Sequence, residues 1–195
     1  MLRIISGLSK GRHLKVPGGS EIRPTSDKVR ESIFNIIGHD SIVDSTFLDL
    51  FSGSGAVGIE AISRGAKHVT FVDNNIRHIR TIKENIKICG FQQASEILSG
   101  DVITILNNFP GRKKSFNIVF ADPPYSYGKW DTLLSIIVNN VIILDYGFFI
   151  IEHSSKVSMP ERLNNLENYG KYIYGDTTLT VYRKYGNNSD LSRDI

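Results

Sequence analysis

Apolar residues along this chain fall into short unbroken runs, and between the runs they recur every three or four positions. Five runs stand near residues 46–50, 68–73, 95–99, 116–121 and 147–152. Their length and their β-branched and aromatic content predict strands. Residues 56–65, 75–88, 101–108, 129–140 and 158–167 carry the helical spacing. Alternation of this kind predicts a mostly parallel, doubly wound α/β sheet with short right-handed crossovers. The ending departs from it, because KYIYGDTTLTVYRK reads as two strands joined at Gly175-Asp176. A turn that tight makes the last strand antiparallel to its neighbour and brings the expected count to seven strands.

The first 40 residues follow a different pattern. LRIIS and HLKV flank Gly7 to Gly11 as a hairpin, and in RPTSDKVRESIFNIIG Pro24 breaks the chain before Ser26 caps a helix. Val29, Ile33, Phe34 and Ile37 form the apolar stripe of that helix, with Lys28 and Arg30 placed off it. The expected organisation is an N-terminal extension over residues 1–40, a main domain over 41–185, and a polar flexible tail over 186–195.

Composition adds little until charge is resolved by position. The 195 residues, 41% hydrophobic, suit one domain with a sizeable core, and no apolar run reaches membrane-spanning length. The N-terminus lacks a signal-peptide core, so a cytoplasmic protein is expected. A single cysteine, Cys89, excludes a disulfide framework, and the five histidines show no metal-ligand spacing. The net charge of +3 conceals an imbalance: residues 1–30 hold seven basic and two acidic residues, +5, which leaves −2 for the rest. A basic extension on a slightly acidic body suggests contact with a polyanion.

Two motifs carry the chemistry. TFLDLFSGSGAVG, residues 46–58, is a strand, an acid at Asp49, then Gly53, Gly55 and Gly58 leading into a helix. Its glycines permit a sharp turn close to a ligand, and the helix start presents free N–H groups. The spacing also fits a dinucleotide fingerprint, with Asp73 ending the next strand to bind a ribose. Asp49 before the glycines can neutralise a methionine-type ammonium, which favours S-adenosylmethionine over a nicotinamide cofactor. The second motif is Phe120-Ala121-Asp122-Pro123-Pro124-Tyr125. An exocyclic aromatic amine gives its lone pair to the ring and becomes nucleophilic when acceptors hold its N–H groups, as Asp122 and the Pro123 carbonyl can. The two prolines stiffen the loop, and Tyr125 offers a face for a base to stack on. Asp49, Asp73, Asp101 and Asp122 all fall at strand ends, where ligands gather in such sheets and where a cationic ligand would relieve their repulsion.

DLFSGSGAVGIEA, FVDNN, SGD and FADPPY, in that order, resemble the class I S-adenosylmethionine-dependent methyltransferases that methylate amines. RIISGLSKGRHLKVP, RPTSDKVRESIFNII and YGDTTLTVYRK resemble the RsmD family of bacterial 16S rRNA guanine-N2 methyltransferases, over residues 3–184. The resemblance implies a Rossmann-like α/β fold with a mostly parallel seven-stranded sheet, an antiparallel last strand and a small N-terminal hairpin and helix. It implies methylation of a small-subunit rRNA guanine on a partly assembled 30S particle. Apart from the resemblance, no membrane contact and no obligate protein partner is evident in the sequence, so a monomer is expected. Asp49 and the backbone of Phe51, Ser52, Gly53, Ser54 and Gly55 would hold the amino-acid end of the cofactor. Asp73 with Asn74 would hold the ribose, and Asp101 with Val102 the adenine. Asp122, Pro123, Pro124 and Tyr125 would take the guanine. Arg3, Lys10, Arg12, Arg23, Thr25, Lys28 and Arg30 would contact RNA, with Arg23, Pro24 and Thr25 near the active site. Tyr125 stands where many relatives have Phe, and Asp73 where some have Glu. Glu60 is read as a cap partner, and His153 either lines the pocket or, as is commoner at a strand end, is structural or solvated. Adenine-N6 or cytosine-N4 methylation, and a non-catalytic RNA-binding assembly factor, stand as alternatives; the former normally needs a larger target-recognition domain.

Overall fold

Successive residues of each central strand point to opposite faces of one sheet, and this divides the interior into two cores. The computed structural model describes residues 2–18, 26–109, 114–140 and 142–186. In chain order the elements are α1 (Asp27–Ile37), β1 (Thr46–Leu50), α2 (Ala56–Ser63), β2 (His68–Asp73), α3 (Ile76–Cys89), β3 (Ser95–Ser99), α4 (Val102–Asn107), β4 (Phe116–Ala121), α5 (Trp130–Asn139), β5 (Ile143–Ser154), β6 (Arg162–Leu163), β7 (Leu166–Tyr174) and β8 (Thr177–Lys184). The sheet order is β3-β2-β1-β4-β5-β8-β7-β6. Strands β3 to β5 are parallel, and β8, β7 and β6 are added antiparallel. Strand order reverses between β1 and β4, so a crevice opens at their carboxyl ends.

Phe47, Phe71, Ile118, Phe120, Phe148 and Ile150 face one core, which the N-terminal segment, α1, α2 and α3 cover. Their neighbours Leu48, Val72, Val119, Ala121, Phe149 and Ile151 face the other, under α4 and α5. Burying both faces explains why these strands read as unbroken apolar runs.

The residues around 160 depart from expectation. In place of a helix over residues 158–167, β6 and β7 form a hairpin with Leu163 opposite Leu166. Asn164 lies between them at φ 52°, a conformation that asparagine tolerates in two-residue hairpin loops, and Pro160 disfavours a continuous helix. Among the described residues, strand β6 raises the count from the expected seven to eight.

The N-terminal extension is packed, not pendant. Leu2, Ile4 and Leu14 belong to the first core, and Arg3 pairs with His13 in an antiparallel bridge. Its anchor is Glu60 on α2, fully buried, which accepts from the Ile5 N–H at 2.8 Å, the Ser6 N–H at 2.9 Å and Arg64 Nε at 2.8 Å. Gly7, at φ 81°, passes so close to α2 that a Cβ would stand 1.7 Å from the Ser63 carbonyl oxygen. Asn85 on α3 completes the clamp, accepting from the Lys15 N–H and donating to its carbonyl, at 2.8 and 2.9 Å. Glu60 is therefore not the cap partner expected from sequence, since α2 has no side-chain cap. It supplies acceptors that the hairpin backbone cannot find within itself.

Candidate active site

The crevice is a cleft of about 920 Å³ lined by the ends of β1, β2 and β4, the loop after β1, and the β7–β8 turn. Of the residues expected there, Asp49, Phe51, Ser52, Gly53, Ser54, Asp73, Asn74, Asp122, Pro123, Pro124 and Tyr125 all line it. The loop is held by two acids. Asp49 is 1% exposed, and its carboxylate accepts the Gly58 N–H at 3.0 Å. Position 58 admits only glycine, since a Cβ would lie 2.4 Å from Phe71 and 2.9 Å from the Asp49 carboxylate. Burial raises the Asp49 pKa well above the ordinary carboxylate range; the Gly58 N–H opposes the shift and the neighbouring Asp73 charge adds to it. A buried carboxylate with one backbone donor is poised to accept a cation.

Asp73 ties the glycine loop to β2. Its oxygens accept from the Gly53 N–H at 2.9 Å and the Asn75 N–H at 2.8 Å, and His78 Nδ1 stands 3.0 Å from both. Ser52 links the same two segments, donating to the Asp49 carbonyl at 2.6 Å and accepting from the Val72 N–H at 3.0 Å. Phe51 takes φ 59° at the turn out of β1.

Gly55, Asp101 and Val102 lie off the cleft lining. Gly55 caps α2 with Ile82 and Ile59 packed where its side chain would be. Asp101 caps α4, accepting from the Thr104 N–H at 3.0 Å, and Val102 is buried in the second core. Three acids of the expected four therefore converge: Asp49, Asp73 and Asp122.

On the substrate side Pro123 is buried, Pro124 is exposed, and the Pro124 carbonyl accepts the Tyr127 N–H at 2.8 Å, closing the turn. Tyr125 is 58% exposed, with its hydroxyl 2.8 Å from Thr177 Oγ1 on β8. Thr177, Tyr174, Glu152 and Arg77 also line the cleft, and none was expected from sequence. The turn Gly175-Asp176 was the available signal for the β7–β8 wall, but only the sheet order brings that turn over β4.

The residues expected to contact RNA do not share one setting. Arg3, Lys10 and Arg12 are exposed on the hairpin, and Lys28 lines the cleft with its Nζ 5.9 Å from the Tyr174 ring centre. Arg23 and Thr25, with Pro24, lie outside the described residues. Arg30 corrects the sequence reading. It is fully buried, donates to the Arg3 carbonyl at 2.6 Å and to Asp27 at 2.9 Å, and stands 3.8 Å from Glu60. Position 30 shares a helix face with Ile33, Phe34 and Ile37 through the i+3, i+4 and i+7 relation, so it belongs beside the apolar stripe and cannot meet a phosphate. Burial lowers its pKa, with Glu60 and Asp27 opposing. Of the readings open to His153, the structure gives the structural one: it is buried off the cleft lining, with Nε2 2.8 Å from Thr180 Oγ1 and Nδ1 2.9 Å from the Ser154 carbonyl. Burial lowers its pKa.

A parallel sheet that reverses order over such a cleft and ends in antiparallel strands defines the class I methyltransferase fold. The family model described as conserved hypothetical protein 95 matches residues 2–183. A Bacillus subtilis protein named as a candidate rRNA methyltransferase, YlbH, is 40% identical over 95% of this chain and all of its own length. The Haemophilus influenzae ribosomal RNA small subunit methyltransferase D is 32% identical over 95% of this chain and 94% of its own. Among solved structures, the Escherichia coli protein described as a candidate methyltransferase, YhhF, superposes with a TM-score of 0.82 at 29% identity, covering 95% of this chain and 98% of that one. The chain belongs to this family, the RsmD family that the sequence motifs resembled. No helix of the described residues is long and apolar enough to cross a membrane.

Proposed function

We propose that this protein transfers a methyl group to the exocyclic N2 of a guanine in 16S rRNA, acting as a cytoplasmic monomer on a partly assembled 30S particle. The observation that carries the proposal is the meeting, in one cleft, of the buried Asp49 carboxylate with the segment from Asp122 to Tyr125. The buried acid, the glycine loop and Asp73 fit S-adenosylmethionine, which when bound supplies a methyl group on a sulfonium whose sulfur leaves as a neutral thioether. Asp49 offsets the charge of the amino-acid end, with Ser52 to Ser54 around it, and Asp73 and Asn74 face the ribose.

Asp122 and the Pro123 carbonyl accept the N–H groups of the guanine amine and aim its lone pair at the methyl carbon, while Tyr125 stacks on the ring. As the N–C bond forms, the nitrogen becomes an acidic ammonium and loses its proton to Asp122 or water. Residues 1–40 act as an RNA-contacting extension built onto the catalytic body of residues 41–185, with Lys10 and Arg12 meeting phosphate. The test is mass analysis of nucleosides from 16S rRNA of cells with and without the gene. Loss of one N2-methylguanosine, restored by the wild-type gene and not by Asp122→Ala, is expected. Loss of a methylated adenine or cytosine would transfer the proposal to that base.

A further inference from the structure

Arg77, Arg80, Lys83 and Lys87 recur at intervals of three or four along α3, and all four are exposed. These intervals set them on one side of the helix, away from the buried Ile79, Ile82, Asn85 and Ile86. The row begins at the cleft, which Arg77 lines, and Lys87 lies about 15 Å further along the axis. The N-terminal segment docks on the same helix. Lys15 is joined to Asn85 through its backbone and to Glu84 by a 2.8 Å ion pair. Glu84 is the sole acid of α3, and Lys15 neutralises it. Residues 2–18 and 76–89 together carry eight lysines and arginines against that one acid.

Nothing in the packing of α3 requires this row, since its side chains point away from the core and like charges at these intervals repel. A polyanion laid along it removes the repulsion. We propose that the exposed face of α3, continuous with the hairpin, is a track for the RNA backbone, carrying the strand that delivers its base to the cleft. The inference rests on the reading of RNA as substrate and extends recognition to a helix of the catalytic body. An RNA strand fits better than an acidic peptide because the row starts at the rim of the cleft, with Arg77 in its lining, and that same cleft must receive a base.

The test compares the wild type with Arg80→Ala/Lys87→Ala and with a control pair, Lys67→Ala/Arg162→Ala. Lys67 precedes β2 at the end opposite Asp73, and Arg162 lies on the edge strand β6. Binding to 30S particles from cells lacking the gene is titrated over several salt concentrations. The α3 pair should lower the slope of log affinity against log salt by about 1.4, a roughly 10- to 15-fold loss at 0.15 M salt. Melting temperature and cofactor affinity should stay unchanged, and the control pair should behave as wild type. A wild-type slope for the α3 pair overturns the track, as does an equal loss in the control pair, which would make the effect one of net charge. If the wild type methylates the guanine normally and only the slope prediction fails, the track alone falls. If the wild type neither binds nor modifies the particle, the substrate reading falls with it.

Discussion

Asp49→Asn separates the two demands placed on the loop after β1. The substitution keeps shape, and its amide oxygen can still accept the Gly58 N–H that the carboxylate accepts at 3.0 Å. What it removes is a charge at a position 1% exposed to solvent. Because burial raises the folded pKa above the unfolded value, the stabilisation from Asp49 is fully present below the unfolded pKa and is lost as pH rises through the folded one. Near neutrality the wild-type carboxylate is therefore a liability to the ligand-free fold that Asn does not share. Asp49→Asn should melt no lower than wild type at pH 7, and its melting temperature should lack the wild-type decline as pH rises from acid. Cofactor binding should show the opposite sign. An α-ammonium stays charged below about pH 7.7, so wild-type affinity should increase as Asp49 ionises. Loss of a hydrogen bond between charged groups is worth ~1.5 to 3 kcal/mol, so the variant should bind S-adenosylmethionine roughly 10- to 150-fold more weakly. Its affinity should also be flat with pH. Calorimetric titration and melting from pH 4 to 7 measure both. Wild-type affinity in the variant, or a persisting pH slope, would refute the assignment of Asp49 to the ammonium.

Glu60→Ala leaves the buried Arg30 without its main counter-charge and the Ile5 and Ser6 N–H groups without an acceptor. It should cost about 3 to 5 kcal/mol, a fall of roughly 6 to 20 °C in melting temperature, with early proteolysis before residue 18; a drop under about 3 °C would contradict it. Asp122→Ala should keep calorimetric cofactor affinity and lose turnover, and weakened cofactor binding would instead move Asp122 to the cofactor side. Tyr125→Phe forfeits only an exposed bond to Thr177 and should be mild, whereas Tyr125→Ala should lose ~1 to 3 kcal/mol of stacking in kcat/KM; equal damage would give the hydroxyl the main role. Replacing Lys10 and Arg12 with Ala should lower the salt slope of binding to the 30S particle by about 1.4, and a wild-type slope would make them solvated bystanders.

Local pattern was enough for the elements whose determinants are local. The strands near residues 46, 68, 95 and 116 and the helices from α1 to α5 follow apolar spacing, and Ser26, Asn75 and Asp101 cap helices close to the expected starts. The glycine loop and the Asp122 to Tyr125 turn were legible because each needs particular residues in sequence: Gly58 beneath Asp49, and two prolines after an acid. Residues 158–167 failed this test, since a two-residue strand held by Leu163 and Leu166 has no periodicity to detect. Arg30 failed for a related reason. Its charge suggested solvent, and its burial is made tolerable by Asp27 one turn back together with two distant partners, the Arg3 carbonyl and Glu60, thirty positions later on α2. The β7–β8 wall of the cleft, the Asn85 clamp and the alignment of the hairpin with α3 depend likewise on contacts between residues dozens of positions apart. Such contacts leave no spacing in the chain. Sequence alone determined most of the elements and the residue types of the two motifs, because those rest on local spacing and side-chain type. The tertiary structure decided which charges are buried, which line the cleft and which form a surface, because that depends on what lies across from each residue once the sheet has closed.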